Sequence, residues 1–187
     1  QKINVGGHQF QFIDQGKGPA VLLVHGFPLN HSMWKYQIAE FSKSARVICP
    51  DLPGFGDSKL KPVEPNRSDS TGPNLFSMRS LADTLSEFLT ELGVASVTFC
   101  GLSMGGYIGW QFCHHHQHRV SRLIACDTRA TADTETVARA RRISAESVRN
   151  QGSESIVDDM VAKLFGKASL ANRSSDVEGV RRMIETT

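Results

Sequence analysis

Apolar positions along the chain follow two rhythms. Short runs stand at 20–24 (AVLLV), 45–49 (ARVIC), 96–100 (SVTFC) and 123–126 (LIAC). Each is rich in β-branched residues and closes at a loop signal, which is how buried parallel strands read. Two further stretches, 3–5 and 9–13, flank Gly6-Gly7 and predict an antiparallel hairpin at one edge of a sheet. Between the runs the period lengthens to that of a helix. Trp34, Ile38 and Phe41 are spaced i, i+4, i+7. Met78, Leu81, Leu85, Phe88, Leu89 and Leu92 hold one face for four turns, and Gly93 then supplies a C-terminal stop. Six strands alternating with helices predict an α/β fold with a mostly parallel sheet.

Two regions break this alternation. Residues 60–75 hold three prolines and many small polar residues, and predict a long surface loop. From residue 133 onward the strand pattern stops. Helices are expected over 134–151, 153–165 and 176–187. In the second of these, Ile156, Val157, Met160, Val161, Leu164 and Phe165 line one face, with Ser153 placed as the cap. The expected division is therefore a core over 1–132 and a helical lid or cap segment over 133–187.

Composition narrows the function classes. A chain of 187 residues with 40% apolar and 21% charged positions can build a core, so wholesale disorder is not expected. A net charge of +2 gives no reason to expect nucleic acid or a membrane surface as partner. The longest apolar run falls far short of the ~20 residues of a membrane helix, and the N-terminus lacks the basic-then-apolar order of a signal peptide. Cys49, Cys100, Cys113 and Cys126 match no zinc spacing and read as small buried hydrophobes, so a reducing cytoplasm is the expected compartment.

Chemistry concentrates at Gly101-Leu102-Ser103-Met104-Gly105-Gly106. This follows a predicted strand, opens a predicted helix and satisfies the G-x-S-x-G pattern of a nucleophile elbow. A strand that turns sharply into a helix leaves its middle residue strained and exposed, and crowds the positions two before and two after. Glycine at 101 and 105 meets that demand. The following helix points its N-terminus at the site and favours developing negative charge. A second element, His25-Gly26-Phe27-Pro28, follows the strand at 20–24. Acyl transfer needs backbone N–H donors aimed at an oxyanion. Met104, after the nucleophile, and Phe27, in this loop, are placed to supply them. His25 is expected to shape the loop rather than act as base.

The order HGFP, then DLPGFGDS at 51–58, then GLSMGG followed by Tyr107, resembles the α/β-hydrolase superfamily, in its esterase and enol-lactonase group. The resemblance covers nearly all of 1–132 and extends to the lid. It implies an α/β-hydrolase fold with helices on both faces of the sheet and a small ester or lactone as substrate. It also implies Ser103 as nucleophile and Phe27 and Met104 as oxyanion donors; no metal or nucleotide motif stands out, so no cofactor or metal is expected. Serine at the elbow centre argues against the dehalogenase and epoxide-hydrolase branches, which resemble this group but carry aspartate there.

The chain departs from the family in its second half. The family's acid and histidine base follow its seventh and eighth strands, which are not seen here, and residues 133–187 contain no histidine. At about 1.5 Å per residue, His114 lies ~16 Å along the helix from Ser103 and His118 ~22 Å, too far for a base that must come within ~3 Å. The HHHQH run at 114–118 therefore reads as a helix-end feature. Asp127, after the run at 123–126, is a candidate acid, or else a polar turn residue at the lid junction. The start at Gln1 and an uncapped helical ending lead to the expectation of a fragment, with the base in a segment absent from the chain. Self-association or a complementing C-terminal segment is then expected, because the last strand is left as an open edge. The competing expectation is a non-catalytic binding protein, or inactive fragment, on a hydrolase scaffold.

Overall fold

A computed structural model describes residues 1–61 and 77–187, so the predicted loop at 60–75 lies almost wholly outside the described residues. In chain order, β1 (Lys2–Val5), β2 (His8–Gln15) and β3 (Ala20–Val24) lead into α1 (Lys35–Phe41) and β4 (Arg46–Pro50). Then come α2 (Met78–Glu91), β5 (Val97–Leu102), α3 (Met104–His115) and β6 (Val120–Cys126). The remainder is helical: α4 (Glu135–Gln151), α5 (Val157–Leu164), α6 (Lys167–Asn172) and α7 (Ser174–Glu185). The chain divides into two compact units, Gln1–Ala130 and Thr131–Thr187.

The first unit is one sheet of order β1-β2-β4-β3-β5-β6. The predicted hairpin is present: β1 pairs antiparallel with β2, Val5 opposite His8, around Gly6 and Gly7, both at positive φ. β2 runs antiparallel to β4, and the β4-β3-β5-β6 block is parallel. Alternate residues of the central strands face opposite sides. Leu22, Val24, Ile48, Val97 and Phe99 join a core with α2 and α3, while Leu23, Val47, Cys49 and Cys100 join Trp34 and Ile38 on the other face. Continuous apolar runs are thus explained by burial on both faces. Phe88 of α2 is the pivot of the larger core. It stacks on Phe10 at 4.8 Å and meets Phe12 edge-on at 5.2 Å.

Several boundaries differ from those the sequence pattern predicts. β6 begins three residues earlier than the apolar run, because pairing with β5 rather than side-chain polarity recruits Val120–Arg122. The segment before α1 is a 3₁₀ turn, His31–Trp34, and Phe41 stays exposed although Trp34 and Ile38 are buried.

In the second unit, the predicted helix at 153–165 splits into a 3₁₀ turn (Ser153–Ile156) and α5. Ser153 does not cap it. Its Oγ donates instead to the Glu185 carbonyl of α7, 3.1 Å away. Ile156, Val157 and Val161 are buried, as are Met183 and Ile184 of α7, whereas Leu164 is exposed. α6 is too short to show a period and is not predicted by the sequence pattern. The terminal helix is not left uncapped. α7 ends at Glu185, where the Thr186 and Thr187 hydroxyls donate to the Arg182 and Met183 carbonyls. Among the described residues no helix is long and apolar enough to cross a membrane.

Candidate active site

The carboxyl ends of β3, β4, β5 and β6 bring the sequence motifs together. β5 delivers Ser103 at φ 49°, ψ −108°, and α3 starts at the next residue. Its hydroxyl does not cap the helix, and among the described residues it has no hydrogen-bond partner. The glycines stand where the pattern requires them. A Cβ on Gly101 would strike the Gly105 carbonyl oxygen, and one on Gly105 would strike the Val24 and His25 carbonyl oxygens. Gly26 sits against the same turn, its Cβ position 3.5 Å from Ser103 Cβ. The HGFP loop and the elbow are therefore in contact.

Two backbone donors flank this contact. The Phe27 and Met104 N–H groups have no acceptor among the described residues. Met104 opens α3, so its N–H is one of the unsatisfied donors that every helix start carries. Phe27 precedes a cis peptide to Pro28, and Leu29 N–H closes the turn on the Gly26 carbonyl at 2.9 Å.

His25 is fully buried, with both ring nitrogens engaged. Nδ1 donates to the Gly26 carbonyl at 3.0 Å, and Nε2 accepts the Leu52 N–H at 3.0 Å. These partners require the neutral Nδ1–H tautomer, and burial lowers the ring pKa to about 4. The ring ties the HGFP loop to the DLPGFGDS loop, and its edge packs on Phe55.

Asp51, the first residue of that second motif, has a part that the sequence alone does not reveal. It is 1% exposed and forms an anchor. Oδ1 accepts the His31 backbone N–H and faces His31 Nδ1, each at 2.7 Å, and Oδ2 accepts the Asp57 N–H at 3.1 Å. Burial alone would raise its pKa, but the His31 and Asp57 hydrogen bonds hold it below the usual carboxylate value. Adjacent acidic and glycine positions give a motif signal here, but nothing in the linear order pairs Asp51 with His31.

The other expected residues lie as follows. Asp127 directly follows β6 at the same end of the sheet, exposed and at φ 40°. α3 ends at His115, and His116 Nε2 meets Asp83 of α2 at 2.8 Å. His8 Nδ1 accepts the Lys61 N–H at 3.2 Å. Cys49 and Cys100 are buried, and the Cys100 and Cys126 sulfurs are 3.9 Å apart. Burial raises the Cys100 thiol pKa to about 12. Among the described residues no group of three or more His, Cys, Asp or Glu side chains is placed to hold a metal ion.

Comparison with known proteins gives the same picture over most of the length. A family model described as the alpha/beta hydrolase fold matches residues 19–175. The 3-oxoadipate enol-lactonase 2 of Acinetobacter baylyi is 31% identical over 164 residues, which is 88% of this chain and 56% of that protein. Epoxide hydrolase 3 of Xenopus tropicalis is 33% identical over 120 residues, 63% of this chain and 30% of that protein. The bifunctional epoxide hydrolase 2 of Rattus norvegicus is 30% identical over 65% of this chain and 21% of its own length. The chain thus spans between a fifth and just over half of these relatives. Among solved structures, a thermophilic esterase from Thermogutta terrifontis superposes with a TM-score of 0.89 at 35% identity, over all of this chain and 67% of that one. With its elbow, its strand order and a family match over most of its residues, the chain belongs to the alpha/beta hydrolase fold family.

Proposed function

We propose that the protein is a serine hydrolase that cleaves a small carboxylic ester or lactone through an acyl-enzyme on Ser103. The observation that supports this is the strained Ser103, its hydroxyl unpaired among the described residues, between two backbone N–H groups without acceptors there. In this reading Oγ attacks the carbonyl carbon and the oxyanion receives hydrogen bonds from Phe27 and Met104. The N-terminus of α3 favours the same charge. The alkoxide leaves with the proton taken from Oγ, and water then hydrolyses the acyl-enzyme. No cofactor enters this sequence of steps.

The base is assigned to a histidine outside residues 1–187. Both nitrogens of His25 are engaged, and no histidine among the described residues hydrogen-bonds Ser103 Oγ. His114 and His115 close the far end of α3. The relatives extend well beyond the length matched here. Serine at the elbow favours acyl transfer over epoxide opening, although the relatives include proteins named epoxide hydrolases. Residues 133–187 are assigned to a cap. Within that unit Leu164 is exposed, and Met160 and Phe165 are partly exposed.

Labelling with a serine-directed phosphonate, followed by peptide mapping, tests the reading. An adduct on Ser103 that is absent from Ser103→Ala is expected, and an adduct elsewhere would sink the proposal. The absence of a free histidine at the elbow, among the described residues, favours a second reading, a non-catalytic binding protein on the same scaffold. Steady turnover of an activated ester by the 187-residue chain would defeat that alternative.

A further inference from the structure

We propose that Asp127 and Thr128 form a brace that holds Ser103 in its strained conformation, as positioning residues; this rests on Ser103 being the nucleophile. Among the described residues only two non-glycine positions have positive φ, Ser103 at 49° and Asp127 at 40°. They follow directly on neighbouring parallel strands, where Leu102 of β5 is in register with Cys126 of β6.

The two strained turns are joined by hydrogen bonds. Ser103 N–H donates to the Cys126 carbonyl at 2.9 Å. Thr128 Oγ1 donates to the Ser103 carbonyl at 2.9 Å. That same oxygen accepts Gly106 N–H at 2.9 Å and Tyr107 N–H at 3.1 Å. Both peptide groups around Ser103 are therefore pinned, one by the last residue of β6 and the other by the second residue beyond it.

The turn at Asp127 makes this possible. Extended chain would carry Thr128 onward by ~3.3 Å per residue, past the end of β5. A left-handed residue at 127 instead lets the Thr128 hydroxyl reach the Ser103 carbonyl. Aspartate adopts that region more readily than most side chains. The Thr128 side chain also lies 2.5 Å from where a Cβ on Gly106 would be, so the glycine leaves room for the brace. Without the brace Ser103 relaxes toward populated φ/ψ and its Oγ moves away from the Phe27 and Met104 donors. Asp127 acts in the brace through its backbone.

The test uses the 187-residue chain and two readouts, the rate of Ser103 labelling by a phosphonate and amide hydrogen exchange. Thr128→Val removes the hydroxyl but keeps the shape, and Thr128→Ser keeps the hydroxyl. Thr128→Val is expected to slow labelling about 10-fold, in line with the cost of sub-ångström misplacement. It should also speed exchange at Ser103, Gly106 and Tyr107 while β3 and β4 amides are unchanged. Thr128→Ser should restore both to within about twofold of the parent protein. Asp127→Val should slow labelling and speed the same exchange as Thr128→Val does, while Asp127→Gly, free to hold positive φ, should keep the parent's exchange pattern. Parent-like labelling and exchange in Thr128→Val would overturn the brace. So would parent-like exchange in Asp127→Val. If the 187-residue chain is not labelled at Ser103, the exchange pattern alone decides the brace, and the hydrolase reading is decided by labelling a longer chain that includes the proposed base.

Discussion

At the scale of single residues, the site is governed by where polar groups find partners. His25 is expected to shape the donor loop rather than act as base, because it precedes that loop in the linear sequence. Its two hydrogen bonds and complete burial make it a neutral crosslink between two loops. The consequence appears in acid stability. The folded ring holds its proton only below about pH 4, whereas an unfolded histidine binds one below about pH 6.5. Between those values the unfolded state binds more protons, so stability falls as pH falls. At 1.36 kcal/mol per unit the loss approaches about 3 kcal/mol. Urea titrations at pH 7, 5 and 4 should show that slope, and His25→Asn should flatten it while lowering stability at pH 7. That His25 shapes its loop is legible from its place ahead of the donor residue. The pairing of Asp51 with His31 is not, because 20 residues of chain separate the partners.

Elements were legible where the period was long and tertiary contacts agreed with it. α2 matches its prediction closely, with Ser77 capping through Ser80 N–H at 3.0 Å and Leu81, Leu85, Phe88 and Leu89 buried. Phe88→Ala removes the ring that joins Phe10 and Phe12, and is expected to cost about 3–5 kcal/mol in denaturant unfolding. Phe41→Ala, at a position of the same apparent periodicity, should change stability by no more than about 0.5 kcal/mol, since the ring is exposed. Elements were misread where a distant contact took over. Ser153 serves the α7 carbonyl end instead of its own helix, and β6 extends into polar residues because β5 offers it a ladder.

For the whole molecule, the parallel block ends on β6, whose outer edge has no partner strand among the described residues. Ile124 on that strand is 44% exposed. Unpaired edges with apolar flanks pair with other chains. Size-exclusion chromatography of the 187-residue chain should therefore show self-association that grows with concentration, and Ile124→Lys should shift it toward monomer. A clean monomer at all concentrations would remove this prediction. In the second unit Ile156, Val157, Val161, Met183 and Ile184 are buried, and an Arg181–Asp158 pair at 2.7 Å lies on the surface.

The sequence by itself determined the α/β alternation, the edge hairpin and the elbow with its glycines. Each of these depends on local sterics and on the period of burial, which neighbouring residues encode. Only the tertiary structure decided that His25 is locked neutral, that Asp51 anchors His31, and that Thr128 reaches the Ser103 carbonyl. Those are hydrogen bonds between groups 20 to 27 residues apart. Their partners are selected by which strand ends the sheet order places side by side, and that order is not written in any local pattern.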